Sequence, residues 1–399
     1  MKHSIAGRAA LVLSTVLCLV FTSCQLGNAN DKGAEQSLFT PAPGSPISVP
    51  GGAGNVISRD VNNDKKLDLI VAAGKTSNIT VLFGKGDGQF APSGTSTTVP
   101  YPPHEVAVGD VNLDGNLDLA VGTHDSYGIV LLFGDGKGAF TTAPGSPIVM
   151  RTGNQPHTHG LELADLNRDN KLDLVTVNST DNDVSVAFGD GRGGFTQATR
   201  SPYAVGPSPY PAAVGDVNGD GQLDIVATAT ATGPLRQQQL PMSRALTLLL
   251  ADGKGGFHST RLPLRTGEPW FAAISDINGD NKPDILATHH DMSQLTVLLG
   301  DGRGGFVEAT ASPFDFGGRA FHAVVADVNR DNKMDVVAAG GDSVLVMLGD
   351  GRGGFATGPA LRNVKGAWRV DAGDVNGDGK LDMITNNFES DSVSVFLAR

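Results

Sequence analysis

The chain has 399 residues, of which 53 are glycine, 40% are hydrophobic and 18% are charged. This apolar content excludes global disorder, and the glycine content argues against a helical bundle, in which each interior glycine costs about 1 kcal/mol. The formal net charge of -12 excludes a general nucleic-acid-binding protein, because no basic excess is available to neutralise phosphates.

The N-terminus has the features of a secretory signal peptide over residues 1–23. Two basic residues precede an apolar run over residues 9–21, which is too short to span a bilayer. The Phe-Thr-Ser-Cys sequence that ends this run at Cys24 resembles a bacterial lipoprotein box. That resemblance implies cleavage before Cys24 and attachment of lipid to its sulfur. An ordinary signal peptide, cleaved nearby, is the alternative.

Residues 24–37 are polar and lack periodicity, and they predict a flexible tether that links the lipid to the folded domain. Gln25 stands where an Asp would resemble an inner-membrane retention signal, which favours the outer membrane. Cleavage also removes Cys18, so the mature chain has no cysteine pair and no disulfide despite export. The sequence therefore predicts an exported protein, lipid-anchored in the bacterial cell envelope, whose folded domain needs another source of stability.

Length alone predicts two or three domains, but an internal repeat favours a single domain over residues 38–399. The motif Asp-x-Asn-x-Asp-x-x-x-Asp occurs seven times, with starts 47 to 60 residues apart. The seven motifs begin at Asp60, Asp110, Asp165, Asp216, Asp276, Asp327 and Asp374. Seven occurrences at near-even spacing are typical of a repeat architecture.

Each repeat has the layout of four short strands joined by tight turns. In the second repeat, an apolar run at residues 106–108 precedes the acidic loop, and another at residues 117–121 follows it. A third run at residues 128–133 leads through a Gly-Asp-Gly turn to Phe140 and a last extended stretch. Four strands repeated seven times at about 50 residues predict an all-β fold, a seven-bladed β-propeller. An open solenoid is the alternative.

The two ends of the repeat region complement each other. The final repeat stops near Leu397 without its Gly-Asp-Gly turn and fourth strand. The N-terminal residues 39–47 have no repeat before them, yet they nearly copy residues 140–148, which form a fourth strand in the second repeat. We therefore expect the N-terminal strand to complete the last blade and close the ring, which removes the open edges of a linear stack.

The acidic loops predict calcium sites, up to seven with one in each blade. Calcium is bound by six to eight oxygen atoms, and a short loop can present them at positions 1, 3, 5, 7 and 9. Positions 1, 5 and 9 are always Asp and position 3 is always Asn, whereas position 7 varies, as expected for a ligand that is a backbone carbonyl. Asx-rich turns without metal are the alternative, but their three carboxylates would repel each other. The predicted side-chain ligands are Asp60, Asn62, Asp64, Asp68, Asp110, Asn112, Asp114, Asp118, Asp165, Asn167, Asp169, Asp173, Asp216, Asn218, Asp220, Asp224, Asp276, Asn278, Asp280, Asp284, Asp327, Asn329, Asp331, Asp335, Asp374, Asn376, Asp378 and Asp382.

The loops differ at position 6, where a left-handed turn favours Gly or Asn. Six loops comply, whereas the first has Lys65, so we expect the first site to be the weakest. Removal of residues 1–23 takes away Lys2 and Arg8 and changes the net charge from -12 to -14, which seven Ca2+ ions would balance. Bound calcium would then supply the stability that disulfides do not.

These motifs resemble the FG-GAP/VCBS repeat family, which includes the propeller head of integrin α chains. The resemblance covers residues 39–397 and rests on the acidic loops, the seven-fold count and turns such as Leu-Phe-Gly-Asp-Gly at residues 132–136. It implies a seven-bladed propeller, calcium between strands 1 and 2 of each blade, and adhesion or ligand binding on the opposite face. It implies no single activity, because the fold hosts binders, lectins and lyases.

A ring of aromatic and histidine side chains is predicted on that opposite face. The ring positions lie six residues before the first Asp of each loop, where the chain enters the innermost strand. They are occupied by Gly54, His104, His159, Tyr210, Trp270, Phe321 and Trp368. Aromatic faces commonly stack on sugars, and Tyr, Trp and His add a polar group. The alternative is that these side chains plug the narrow end of the channel.

Further histidines are expected near this face, in connections between strands 2 and 3. A His beside an acid can act as an acid–base pair or bind a transition metal, but no nucleophile motif supports catalysis. The candidate ligand-binding residues are His104, His124, His159, Tyr210, Trp270, His289, His290, Phe321 and Trp368. The sequence thus predicts a cell-surface propeller that binds a glycan or a protein. A polysaccharide-acting lyase or hydrolase and an envelope-complex scaffold are the alternatives.

Overall fold

The computed structural model describes residues 37–91, 94–123, 126–150, 157–230, 244–289 and 292–399. Over these ranges the protein is all-β, with 32 strands in seven antiparallel sheets. The same ranges contain no helix that is long and apolar enough to cross a membrane. The predicted signal peptide, Cys24, almost all of the tether, His124 and His290 lie outside the described residues.

Each sheet is one propeller blade, in which the first strand is innermost and the first four strands pair in spatial order. Where a blade has a short fifth strand, that strand also pairs with the third strand. Blade one contains β3 (Asn55–Arg59), β4 (Asp68–Ala73), β5 (Asn78–Leu82) and β6 (Ser96–Thr98). Blade two contains β7 (Glu105–Gly109), β8 (Asp118–Gly122), β9 (Gly128–Gly134), β10 (Phe140–Thr142) and β11 (Ile148–Val149). Blade three contains β12 (Thr158–Ala164), β13 (Asp173–Asn178), β14 (Asp183–Gly189), β15 (Phe195–Gln197) and β16 (Tyr203–Ala204). Blade four contains β17 (Ala212–Gly215), β18 (Asp224–Ala227), β19 (Ala245–Ala251) and β20 (Phe257–Pro263). Blade five contains β21 (Pro269–Ser275), β22 (Asp284–His289), β23 (Gln294–Gly300), β24 (Phe306–Glu308) and β25 (Phe314–Asp315). Blade six contains β26 (His322–Ala326), β27 (Asp335–Ala339), β28 (Val344–Gly349) and β29 (Phe355–Thr357). Blade seven contains β30 (Val370–Gly373), β31 (Asp382–Asn387) and β32 (Ser392–Ala398), together with the N-terminal strands β1 (Phe39–Pro41) and β2 (Ile47–Ser48).

The seven inner strands form a closed ring, since β3, β7, β12, β17, β21, β26 and β30 each contact the next and β30 contacts β3. The core lies between adjacent blades. Blades one and two, for example, bury Ile70 and Val81 against Leu119 and Val130. Strands covered on both faces are nearly continuous apolar runs, which explains the Val- and Leu-rich middle strands. Each such buried side chain stabilises the fold by roughly 1.5–3 kcal/mol.

The N-terminal strand closes the ring, as the sequence predicts. β1 pairs antiparallel with β32, with Phe39 opposite Ala398, and β2 pairs with the same strand through Ile47 and Val393. The side chain of Phe39 is buried in the core between blades six and seven. The predicted seven-bladed propeller with a blade made from both chain ends is therefore confirmed.

Deletion of residues 38–48 should destabilise the whole propeller by at least about 4 kcal/mol, because it uncovers the core around Phe39 and leaves β32 as an open edge. Urea unfolding of the deletion variant against the intact chain measures this effect. Phe39→Ala alone should account for about 3–5 kcal/mol, whereas Thr40→Ala on the same strand should change little. An unchanged free energy of unfolding in the deletion variant would contradict closure by this strand.

Candidate functional site

The acidic loops join the first and second strands of every blade and share one hydrogen-bond pattern. In the second loop, the backbone N–H of Asp114 donates to Asp110 Oδ1 at 3.1 Å and to Asn112 Oδ1 at 2.9 Å. The next N–H, from Gly115, donates to Asp110 Oδ2 at 2.9 Å. The oxygens at positions 1 and 3 thus converge on the same backbone segment. In all seven loops the N–H of position 5 donates to the Asn at position 3, and the N–H of position 6 donates to the Asp at position 1.

The chemistry of this donor set fits a hard cation. Positions 1, 3 and 5 supply only carboxylate and amide oxygens, which are the ligands that calcium prefers. In five loops the position-5 Asp faces the Lys at position 7, for example Asp169 Oδ2 and Lys171 Nζ at 3.0 Å. These pairs are solvent-exposed, and such salt bridges contribute little stability. A calcium ion can therefore replace the lysine at the carboxylate at small energetic cost.

The Asp at position 9 has a structural role that the sequence analysis did not anticipate. Asp118 is fully buried; its Oδ2 accepts the N–H of Val111 at 3.0 Å and its Oδ1 accepts the N–H of Gly134 at 2.9 Å. The pKa of Asp118 is raised to about 6, chiefly by burial and also by the charges of Asp114 and Asp110, while the two backbone hydrogen bonds oppose this rise. The same pair of bonds occurs in all seven loops. The ninth carboxylate thus ties each loop to the third strand of its blade.

Close approach of the third strand to the loop also explains a recurrent glycine at the end of that strand. A Cβ atom at Gly134 would lie 2.1 Å from the carbonyl oxygen of Leu117, a distance that no side chain tolerates. Equivalent glycines occupy this position in five blades, and Ala251 and Ala398 take it in blades four and seven. Close packing therefore requires glycine in these five blades, whereas blades four and seven accommodate an alanine.

The sequence predicts that Lys65 at position 6 disfavours the first loop, but backbone strain does not distinguish that loop from the others. Lys65 adopts the left-handed conformation with φ of 68°, close to the 63° of Asn170, so the first loop has the common conformation. Position 4 is also left-handed, and there Leu113 and Arg168 have φ of 61° and 62°. A non-glycine residue in this region costs roughly 1–2 kcal/mol. The second and third loops therefore bear comparable strain, and the weaker first site remains a prediction.

The aromatic ring lies at the opposite end of the inner strands from the acidic loops. All seven ring positions line one cavity of about 300 Å³. We call this cavity the cup. Its wall consists of Gly54, His104, His159, Tyr210, Trp270, Phe321, Trp368 and, from a later loop, Phe388. The common offset from the loops thus brings together residues from all seven blades, and every blade except the first, which has Gly54, contributes a ring side chain.

Stacked rings form the wall of the cup. His159 stacks on Tyr210 with ring centroids 4.0 Å apart, and Tyr210 lies 3.7 Å from Trp270. Phe321 and Trp368 are stacked at 4.4 Å with an interplanar angle of 13°. Trp270 and Phe321 are buried by these contacts, whereas Trp368 is 42% exposed. The inner rings therefore pack against one another, as the plug alternative expects, while Trp368 keeps an aromatic surface open to solvent.

A second set of side chains forms the floor of the cup and lies one residue further along the chain than the ring positions of blades two, four, six and seven. Glu105 of blade two accepts a hydrogen bond from the Arg369 guanidinium of blade seven, and His322 of blade six lies beside them. Burial raises the pKa of Glu105, but Arg369 and the hydrogen bond from His104 outweigh it and hold the pKa well below its usual range. Burial and Arg369 lower the pKa of His322 to about 3, so His322 is neutral at physiological pH. The sequence analysis missed this floor.

His289 does not belong to the cup. It ends β22, is fully buried, and its Nε2 lies 2.8 Å from Thr296 Oγ1 within blade five. It is therefore a packed blade residue and cannot reach a ligand in the cavity. His124 and His290, the other histidines predicted in connections between strands 2 and 3, lie outside the described residues.

A family profile described as FG-GAP-like repeat matches residues 60–121, 110–176, 165–227, 276–338 and 334–385, which is more than half of the chain. The chain belongs to the FG-GAP-like repeat family. The first four matches each begin at the first Asp of an acidic loop. No match covers residues 228–275, which include the connection between the second and third strands of blade four. No curated protein matches the sequence.

Solved structures share the propeller fold of this FG-GAP-like repeat protein at low identity. BBS1N, solved in complex with ARL6DN, has a TM-score of 0.61 at 10% identity over 91% of this chain and 98% of its own. An inactive variant of virginiamycin B lyase from Staphylococcus aureus, with quinupristin, has a TM-score of 0.54 at 10% identity over 90% and 98%. A lectin from Agrocybe aegerita that recognises non-reducing terminal N-acetylglucosamine has a TM-score of 0.50 at 18% identity over 86% and 93%. At these identities the similarity shows the fold alone.

Proposed function

We propose that this FG-GAP-like repeat protein is a calcium-stabilised, cell-surface propeller that binds a glycan in the cup. The observation that carries the proposal is the combination of a stacked aromatic wall, a charged floor and a cavity of about 300 Å³. Aromatic faces pack against the C–H faces of sugars, and buried polar groups fix the hydroxyls.

Size and chemistry favour a sugar over a protein surface. Small-molecule pockets measure roughly 300–1,000 Å³, so the cup admits one or two rings but no large side-chain cluster. The floor offers the Glu105 carboxylate as an acceptor and the Arg369 guanidinium as a donor. The exposed Trp368 offers a stacking face at the entrance. The lectin among the similar folds supports the compatibility of this scaffold with glycan recognition.

Calcium in this proposal is structural. The side chains at positions 1, 3 and 5 of each loop would hold it, and the carbonyl at position 7 would add a backbone oxygen. Both carboxylate oxygens at position 9 already accept backbone N–H groups, so any bond from them to calcium uses their remaining lone pairs. When bound, the ion would neutralise the clustered carboxylates and cross-link the loop.

The proposed location follows from the N-terminal sequence. A signal peptide over residues 1–23 and lipid on Cys24 would hold the propeller at the cell envelope, with residues 24–37 as the tether. Gln25 next to the lipidated cysteine favours the outer membrane. A surface position gives the cup access to extracellular or envelope glycans.

A glycan-array scan in millimolar calcium tests the binding function. We expect capture of a defined glycan class by the wild type and about five- to tenfold weaker binding by Trp368→Ala, because one stacking face of roughly 1–1.5 kcal/mol is lost. Tyr101→Ala is the matched control, since Tyr101 is 48% exposed but does not line the cup. Equal loss in both variants, or no captured glycan, would overturn the proposal and favour a protein partner. Release of a soluble product would support the polysaccharide-acting enzyme instead.

A further inference from the structure

Two histidines and a glutamate meet at one side of the cup. The potential ligand atoms of His104, Glu105 and His159 all lie within 4.8 Å of one another. Throughout the described ranges, no other group of three or more His, Cys, Asp or Glu residues comes this close. His104 is partly exposed to the cup, whereas Glu105 and His159 are buried. The three residues come from neighbouring blades two and three, at the same level of the ring.

The spacing within this group suits a transition-metal ion. Metal–nitrogen bonds of 2.0–2.1 Å in a tetrahedral site place two ligand atoms about 3.4 Å apart. His104 Nδ1 and Glu105 Oε1 are 3.3 Å apart. The whole group would close around an ion by small side-chain rotations from its present separation. The mixed imidazole and carboxylate set is the one that Zn2+ and its neighbours prefer, in contrast to the all-oxygen calcium loops.

Outer contacts already orient two of the three candidate ligands. The Arg369 guanidinium holds Glu105 Oε2, so Oε1 is directed towards His104. The ring of His159 is held by His157, with the two Nε2 atoms 2.8 Å apart, and by stacking on Tyr210. Ligating side chains are usually fixed by such outer partners, whose loss weakens metal binding by about 10–100-fold.

We propose that His104, Glu105 and His159 bind one divalent transition-metal ion, with Zn2+ as the reference ion. Three protein ligands leave a fourth tetrahedral position for water or for an oxygen atom of a molecule in the cup. His157 and Arg369 act as positioning residues. The metal site stands on these contacts alone and does not depend on glycan binding.

Titration of the full, untagged chain with Zn2+ in millimolar calcium tests this site, because saturating calcium occupies the oxygen sites of the loops. Calorimetry should give one Zn2+ per chain with a micromolar or tighter Kd. Co2+ as a spectroscopic probe should produce the intense visible absorption of a four-coordinate ion, and Zn2+ should abolish it.

Variants separate this site from adventitious binding. His104→Ala should weaken Zn2+ binding at least tenfold and remove the Co2+ absorption, while thermal melts verify that the variant is folded. His258→Ala is the matched control, because His258 is exposed on the outer strand of blade four. A wild type without saturable Zn2+ binding, or a His104→Ala variant with unchanged affinity, would overturn the assignment. Loss of glycan capture with intact Zn2+ binding would affect only the proposed function.

Discussion

Removal of calcium should lower the melting temperature of the propeller by roughly 15–25 °C. Each site at a free calcium concentration about 100 times its Kd would stabilise the fold by about 2.7 kcal/mol. The unfolding entropy of about 2.1 cal/mol/K per residue makes each kcal/mol worth roughly 1–1.5 °C in a domain of this size. Four to seven occupied loops therefore predict a shift in this range.

Differential scanning calorimetry in excess EGTA and in millimolar calcium measures this shift. Magnesium at the same concentration is the control, since Mg2+ dehydrates reluctantly and is rarely bound by dedicated protein cages. Titration calorimetry on the metal-free chain should count at least three calcium ions. Fewer than about three ions, or equal melting temperatures in EGTA and calcium, would contradict calcium as the main stabiliser of the propeller.

The blade architecture was predictable because the repeats contain recognisable turn motifs between their strands. The acidic loop marks the turn between strands 1 and 2, and the Gly-Asp-Gly turn marks the one between strands 3 and 4. The similarity of residues 39–47 to residues 140–148 then identified the missing strand, and the pairing of Phe39 with Ala398 agrees with it. Turn chemistry and period are local properties, so a single sequence is enough to reveal them.

The second role of the loop carboxylates was not predictable in the same way. Asp68 accepts the N–H of Gly84, which is 16 residues away, and in blade four the corresponding separation between Asp224 and Ala251 is 27 residues. Only the strand register brings these groups together. A motif read along the chain shows the spacing of ligands but not which of their oxygens the backbone uses.

For the cup too, the positions of the ring residues were predictable from the sequence, whereas contacts between distant blades were not. A constant offset of six residues placed the ring, because equivalent positions of repeated strands occupy equivalent places around the axis. The floor lies one residue further on, where Glu105, His322 and Arg369 have no common residue type that would mark them. The Glu105–Arg369 pair joins blades two and seven, 264 residues apart. His289 was predicted in a connection, but it is the last residue of β22 and is therefore buried within blade five.

Substitution at position 9 of an acidic loop should destabilise the propeller even without calcium. In blade six, Asp335 accepts the N–H of Gly349 at 2.9 Å and of Val328 at 3.1 Å, and all three groups meet in the blade interior. Asp335→Ala leaves two buried donors without an acceptor, and each costs about 1–3 kcal/mol. We therefore expect a loss of about 3–5 kcal/mol in EGTA, and a smaller loss for Asp335→Asn, which keeps one acceptor oxygen.

Asp331, at position 5 of the same loop, provides the matched variant. Its carboxylate accepts the N–H of Lys333 at 3.0 Å and faces the Lys333 ammonium at 3.2 Å, both near the protein surface. Asp331→Ala should cost less than about 1 kcal/mol in EGTA, but in calcium it should also lose the contribution of the bound ion. Urea unfolding of both variants in each condition separates the two roles. Equal losses for Asp335→Ala and Asp331→Ala in EGTA would show that the ninth carboxylate acts only through the metal, because its backbone bonds would then add no stability of their own.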